Sequence, residues 1–261
     1  MVSGQGTISD QPKMLFNNEQ TIGLFLNSNG LGADYRFARY IKARSDRIYE
    51  FSFDYVKHPK EYKSVVAYDF ITKRFVYGKD NIFWELKGLI GNQHEIFRKY
   101  DFTSISIKMA YSGGLSLGFQ KPIYYEIVAF NSTGNITSRE EKKFDPAIHL
   151  YNYNGTTSFT KGLSELQVIP GITVNTSFSF EYSEREPMIH ALEAGMSFTV
   201  YPKNIRIMAT EENNYFFFNL SVGYRFGTMI DISDAARAKS RKERRQERRE
   251  GQQQIPMIHL L

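Results

Sequence analysis

Leu166-Gln167-Val168-Ile169-Pro170-Gly171-Ile172-Thr173-Val174-Asn175-Thr176-Ser177-Phe178-Ser179-Phe180-Glu181-Tyr182 alternates in character along its whole length. One face takes Leu166, Val168, Pro170, Ile172, Val174, Thr176, Phe178, Phe180 and Tyr182. The other takes Gln167, Ile169, Gly171, Thr173, Asn175, Ser177, Ser179 and Glu181. Successive side chains of a β-strand point to opposite faces, so this is the period of a strand with one apolar side. Strands in water-soluble sheets usually run about five or six residues. A strand tilted across a bilayer needs about nine to eleven and often continues past it. The length of this run therefore points to a membrane strand.

Working outward, the same period recurs from Thr21 to Phe226. It predicts strands over Glu19–Asn29, Leu31–Ile41, Arg47–Val56, Asn81–Ile90, Phe102–Phe119, Met188–Tyr201 and Tyr215–Phe226. In the second, Leu31, Ala33, Tyr35 and Phe37 oppose Asp34 and Arg36; in the third, Tyr49, Phe51, Phe53 and Tyr55 oppose Glu50, Ser52 and Asp54. Only the fourth is blurred, because Ile82, Trp84 and Leu86 interleave with Phe83, Glu85 and Lys87. The links after the second, fourth and sixth strands are short (near Ala43–Asp46, Gly91–Asp101 and Ser183–Pro187). Those after the third and fifth (Lys57–Asp80 and Gln120–Ser164) are long, the link after the seventh is intermediate, and only the first breaks the trend with a tight Ser28-Asn29-Gly30 turn. Short turns at one end and long loops at the other, with an even strand number, are the habit of outer-membrane barrels. That asymmetry places both termini in the periplasm.

The bulk composition fits. Aromatic residues make up 15% of the 261 residues, with 21 Phe and 17 Tyr, which suits sheets and lipid-facing girdles. Mean hydropathy is only -0.42, as expected if half of each strand faces a polar lumen. No run of 18 apolar residues occurs, so no helix is expected to span a membrane. The absence of cysteine excludes disulfides, zinc–thiolate sites and cysteine nucleophiles. The expectation is an all-β, antiparallel up-and-down transmembrane β-barrel of about eight strands. Residues 1–18 form an N-terminal segment, 19–227 the barrel, and 228–261 a basic, partly helical or disordered periplasmic tail.

An eight-stranded barrel is just wide enough inside for side chains to fill it. Arg36, Glu50, Lys108, Glu181, Glu193 and Arg225 fall on inward faces. Charges buried there must pair, so these six are expected to form one structural ion network. Nothing in the sequence marks a catalytic, cofactor or metal site. His58, His94, His149, His190 and His259 are scattered, and neither Gly-x-Ser-x-Gly nor a phosphate-binding Gly-rich loop occurs. Gly113-Gly114-Leu115-Ser116-Leu117-Gly118 reads as a place where small residues permit bending and close backbone approach.

Beyond the last strand the period changes. Arg237–Glu250 holds eight Lys or Arg and three Glu, a local charge of +5 that equals the net charge of the whole chain. Arg244, Arg245, Arg248 and Arg249, with Ile255, Met257, Ile258 and Leu260 beyond them, are candidate partner contacts. In the periplasm such a segment meets lipid headgroups, cell-wall polymers or acidic protein, and no nucleic acid.

The alternating strands, charged interior and aromatic closing strand Val222-Gly223-Tyr224-Arg225-Phe226 resemble small outer-membrane barrels such as the OmpA barrel and OmpX, over roughly Thr21–Phe226. Tyr35-Arg36-Phe37-Ala38-Arg39-Tyr40, Lys57-His58-Pro59-Lys60-Glu61, Phe75-Val76-Tyr77-Gly78-Lys79 and Ser112–Pro122 resemble segments of an outer-membrane protein family of Bacteroidota. Met1–Gly6 lacks the charged start and apolar core of a signal peptide, yet resembles the end of a cleaved leader in such proteins. The resemblance implies an accessory barrel beside a larger machine, either the barrel-assembly complex or the type IX secretion apparatus. It brings no functional residues with it. The expected function is thus a non-enzymatic structural subunit in contact with outer-membrane lipid and a protein complex, with no small-molecule substrate. The alternatives are an outer-membrane enzyme acting on lipid or peptide, and a soluble β-sandwich that binds carbohydrate.

Overall fold

The computed structural model describes residues 17–42, 44–66, 73–98, 104–131, 136–183, 187–209 and 211–231. In chain order its strands are β1 (Asn17–Asn27), β2 (Gly30–Lys42), β3 (Ser45–Val56), β4 (Lys63–Val66), β5 (Lys73–Val76), β6 (Asn81–Phe97), β7 (Ser106–Pro122), β8 (Tyr124–Phe130), β9 (Ile136–Lys143), β10 (Tyr153–Thr156), β11 (Gln167–Glu181), β12 (Met188–Val200) and β13 (Phe216–Asp231). Eight of them close into a barrel in the order β1-β13-β12-β11-β7-β6-β3-β2. Every neighbouring pair is antiparallel, including the seam, where Asn17 faces Asp231 and Asn27 faces Ser221. Closure on the first strand rules out the two-sheet sandwich.

Several boundaries differ from the sequence reading: the strand expected over Phe102–Phe119 is Ser106–Pro122, and two others run on by five residues or more. β6 continues to Phe97, beyond Ile90, because β3 and β7 both keep pairing with it past the apolar rows. β13 continues to Asp231, beyond Phe226, for the same reason: Asn17–Gln20 of β1 and Met188 of β12 pair with Thr228–Asp231. Both faces are wet at a rim, so hydrogen bonding outlasts the hydrophobic signal there.

The barrel is polar inside and apolar outside. Leu24, Leu26, Leu31, Phe51, Leu115, Ile172, Leu192, Met196, Leu220 and Val222 are all exposed on the wall, while Arg36, Glu85, Lys87, Glu193 and Arg225 are buried within it. In water such an arrangement would be unstable, because apolar area gains by leaving water and charge loses. In hydrocarbon it is what stability requires. The outward run from Phe216 to Phe226 on β13 is uncharged. At about 3.3 Å rise per residue and a tilt near 40°, it is roughly 25 Å tall, the height of an apolar belt in outer-membrane barrels.

The long links all leave one end of the barrel, and their described residues include regular structure. β4 and β5 form a hairpin, and β10, β8 and β9 form a three-stranded sheet in that order. Phe75, Ile123, Tyr125, Phe144 and Tyr153 give this cap its own core. Tyr125 Oη lies 2.8 Å from Val76 O and 2.6 Å from Lys79 O, so its single hydrogen is shared between two carbonyls of the β5–β6 link. Burial raises the pKa of this phenol above its ordinary value, which keeps it a donor. The opposite end carries the short turns and both termini of the barrel.

The inside-out polarity makes adjacent residues differ in tolerance. Leu220 is exposed on the wall; Ser221 borders the lumen. Leu220→Arg should cost about 2–4 kcal/mol near the bilayer midplane. Ser221→Arg should be milder, since Asp34 and Glu193 lie in the same lumen. Urea unfolding of vesicle-inserted protein measures both; equal cost at the two positions would contradict the assignment of faces.

Candidate functional site: the filled lumen and its plug

The lumen charges sit on inward positions of strands whose register fixes their heights, and they gather in three clusters. In the first, Arg36 reaches Glu50 (Nε to Oε2, 3.2 Å) and Glu193 (Nη1 to Oε2, 3.1 Å; Nη2 to Oε1, 2.8 Å). Arg225 reaches the same Glu193 (Nε to Oε2, 2.6 Å), Asp34 (Nη2 to Oδ2, 2.6 Å) and Thr21 (Nη1 to Oγ1, 3.1 Å). Paired forks of this kind are the strong form of the charge-assisted hydrogen bond. Arg225 also lies over the Phe25 ring, 5.5 Å from its centroid.

The second cluster lies toward the capped end. Lys87 Nζ is 3.0 Å from Asp54 Oδ2 and 2.8 Å from Glu85 Oε2. Tyr201 donates to Glu85 over 2.8 Å, and Asn27 donates to Asp54 over 2.7 Å. The third cluster closes the end that carries the termini: Lys108 Nζ is 2.5 Å from Glu19 Oε1 and 3.1 Å from Glu181 Oε2, and Gln93 donates to Glu19 over 3.2 Å.

All six sequence-predicted lumen residues therefore lie inside, but they do not make one chain of contacts. Arg36, Glu50, Glu193 and Arg225 share the first cluster; Lys108 and Glu181 belong to the third. Alternation tells which face a residue takes, whereas height along the barrel depends on inter-strand register, which a single sequence does not state. Asn27, Tyr201 and Gln93 were missed because they sit at strand ends or beyond the predicted bounds, and Glu19 because it opens the first strand. The candidate contacts Arg244, Arg245, Arg248, Arg249, Ile255, Met257, Ile258 and Leu260 lie outside the described residues.

Between the first two clusters a cavity of about 50 Å³ is lined by Asp34, Glu50, Asp54, Lys87, Thr173, Asn175, Ser177 and Glu193, among others. At roughly 10–15 Å³ per water it has room for a few molecules. Asp34 Oδ1 and Ser177 Oγ, both buried and without a protein partner, belong to residues of its wall. The middle of the lumen is thus narrow, polar and large enough for water.

At the capped end the lumen turns apolar. Val56, Phe83, Ile169 and Tyr201 point inward and pack with Ile205, Ile207 and Met208 from the link after β12. That link is pinned over the mouth: Asn81 and Gln120 side chains donate to Arg206 O (2.6 and 3.1 Å), and Asn213 Oδ1 accepts from Ile207 N and Met208 N. Gly118 and Gly171 make room for the plug. A Cβ on Gly118 would stand 2.6 Å from Phe83 Cζ, and one on Gly171 2.7 Å from Tyr201 Cδ1. The inward Phe83 is what blurred the fourth strand's period. Inward Ile169 and the alternating Ile205 and Ile207 were the signals of a plug in the sequence.

The histidines lie elsewhere. His94 and His190 are on the outer wall, stacked on Tyr111 and Tyr224, and His58 Nε2 is 3.2 Å from Glu212 O in the loops.

No protein-family model matches the chain, and no curated protein matches it. Among solved structures it is similar to Ail, the attachment invasion locus protein of Yersinia pestis, crystallised with the heparin analogue sucrose octasulfate: 8% identity over 83% of this chain and 100% of that one, with a TM-score of 0.41. It is similar to Neisserial surface protein A (12% identity, 80% and 95% covered, TM-score 0.33). It is also similar to the N-terminal β-barrel domain of Pseudomonas aeruginosa OprF (9% identity, 83% and 100% covered, TM-score 0.33).

In each cluster carboxylates outnumber cations: three to two in the first, two to one in the others. Loss of a cation is therefore the damaging change. Arg225→Gln should destabilise the folded barrel by about 3–5 kcal/mol, because it leaves Asp34 and part of Glu193 buried without a counter-charge. Adding Asp34→Asn should recover part of that loss. A cost below about 1 kcal/mol in denaturant titration would show that the pair is solvated rather than buried.

Proposed function

We propose that the chain is an outer-membrane β-barrel that acts as a non-enzymatic structural or accessory subunit of a larger outer-membrane complex, with both termini in the periplasm. The observation that carries this reading is the sealed lumen. Three ion clusters and an apolar plug block it at several heights, leaving a cavity of about 50 Å³ between the first two clusters, beneath a cap that has its own core. A barrel with no open path transports nothing through itself, so its work falls to its outer surfaces. Those are the lipid-facing wall, the folded cap, and the basic segment that follows Asp231. Barrel assembly and type IX secretion are the kinds of complex the reading favours, on the strength of the sequence resemblance.

Two measurements test it. Reconstituted protein in planar bilayers should show no steady channels of porin size; such channels would overturn the sealed lumen. Affinity capture of the full chain from native membranes should bring down a large complex. A chain truncated after Asp231 keeps every described strand, so it should still insert and migrate heat-modifiably, yet lose that complex. Replacing Arg244, Arg245, Arg248 and Arg249 with Gln should weaken capture in a salt-dependent way, since such attractions are screened beyond about 8 Å. Full recovery with the truncated chain would assign the partner contacts to the cap or wall.

A further inference from the structure

We propose that Arg39 and Arg47 form a docking site for the phosphate of an anionic phospholipid, on the outer wall at the end that carries the chain termini. The inference rests on the membrane-embedded reading above. Arg39 of β2 and Arg47 of β3 are direct cross-strand partners, and both are exposed. Like charges placed opposite each other on a sheet repel. Among the described residues no carboxylate forms an ion pair with either guanidinium. Asp46, the neighbour in sequence, is on the opposite face, among Glu19, Glu95 and Lys108. An anion bound between the two would relieve that repulsion.

The position names the ligand. The next outward row toward the belt is Phe37, Tyr49 and Ile90, registered across β2, β3 and β6. The arginine row itself continues to Asn92 and Tyr111, where Asn92 Nδ2 lies 3.2 Å from Tyr111 Oη. The two guanidinium groups thus stand one row beyond an apolar wall, with polar groups beside them, at the level of lipid headgroups. A planar guanidinium fork matches phosphate oxygens in pairs. Two such forks on facing strands can share one phosphodiester, its acyl chains lying along Phe37, Tyr49 and Ile90. Exposed Lys42 and Arg44 at the adjoining turn add to the field. On the other side of the same rim the outward polar groups include Tyr182, His190 and Tyr224, with His190 Nδ1 2.7 Å from Tyr224 Oη, and are uncharged at Gln20 and Thr228. The arginine pair is therefore a local patch and not a ring.

The test uses the full chain in phosphatidylcholine vesicles, with spin-labelled phosphatidylglycerol or phosphatidylcholine as the probe. Near a membrane surface the attraction of each basic residue is large enough that the pair should favour phosphatidylglycerol by up to roughly thirtyfold at the best site. Arg39→Gln with Arg47→Gln should remove that preference, the double Lys variant should retain most of it, and Lys203→Gln at the opposite end should change nothing. Inorganic phosphate at constant ionic strength should not displace the labelled lipid. Equal preference in the wild type and the double Gln variant, with both inserted and heat-modifiable, would overturn the site and leave the barrel reading intact. Displacement by inorganic phosphate would overturn the lipid as its ligand. A wild-type chain that does not insert at all would overturn the site together with the membrane reading on which it rests.

Discussion

The seam between the first and last strands is the constraint on which the rest depends. In hydrocarbon no water is present to take an unpaired amide or carbonyl, so a sheet can cross only if it has no edge. Pairing of Asn17–Asn27 with Ser221–Asp231 removes the edge. Arg225 lies at that seam and bonds Thr21 of β1, Asp34 of β2 and Glu193 of β12 from its own place on β13. One side chain thereby ties four consecutive staves of the barrel, two on each side of the closure. Arg36, sharing Glu193, carries the tie on to Glu50 of β3. The ion cluster is costly to bury and is kept only because each member is paired. Its consequence is register: a slip of one residue at the seam would turn Arg225 toward lipid.

The capped half solves the same problem with other chemistry. Toward the loops, inward charge gives way to Phe83, Ile169, Tyr201 and the inserted Ile205 and Ile207. Tyr201 joins the two regimes, its ring in the plug and its hydroxyl on Glu85. The lumen is thus blocked by ion clusters toward the termini and by the plug toward the loops, with the small cavity between. The cap core of Tyr125, Phe144 and Tyr153 then holds the β8–β10 sheet as an ordered surface beyond the belt. The division of labour is plain in the two faces: the interior holds the shape and the exterior meets lipid.

Much of the architecture was legible because membrane strands are long and the two solvents they face differ so sharply. Alternation in Leu166–Tyr182 named its faces correctly at residue after residue, as burial of Ile169, Thr173, Ser177, Ser179 and Glu181 shows. The asymmetry of the links put all the long ones at one end. What was hidden lies where alternation stops informing. The three-stranded cap falls in Gln120–Ser164, where β9, Ile136–Lys143, is exposed on both faces and carries no period at all. The grouping of lumen charges depends on register between strands distant in sequence, such as Arg36 with Glu193. The plug was written in the exceptions, inward Phe83 above all, and reads as noise until the barrel is closed around it. The pairing of Arg39 with Arg47 likewise needs the register of β2 against β3.

If the sheet crosses a bilayer, the outer wall meets lipid and the inner wall does not. The chain has no cysteine, so single cysteines can be placed along Tyr215–Phe226 without removing any other. Each variant, inserted in vesicles, is labelled with an environment-sensitive fluorophore and exposed to lipids brominated in their acyl chains. Quenching is expected at Phe218, Leu220, Val222 and Tyr224 and protection at Phe217, Asn219 and Ser221, a period of two along the strand, with Gly223 and Arg225 left unchanged because a Cβ at Gly223 would stand 2.3 Å from Leu24 O and Arg225 holds the ion cluster. Uniform quenching, or uniform access to a water-soluble quencher, would contradict it.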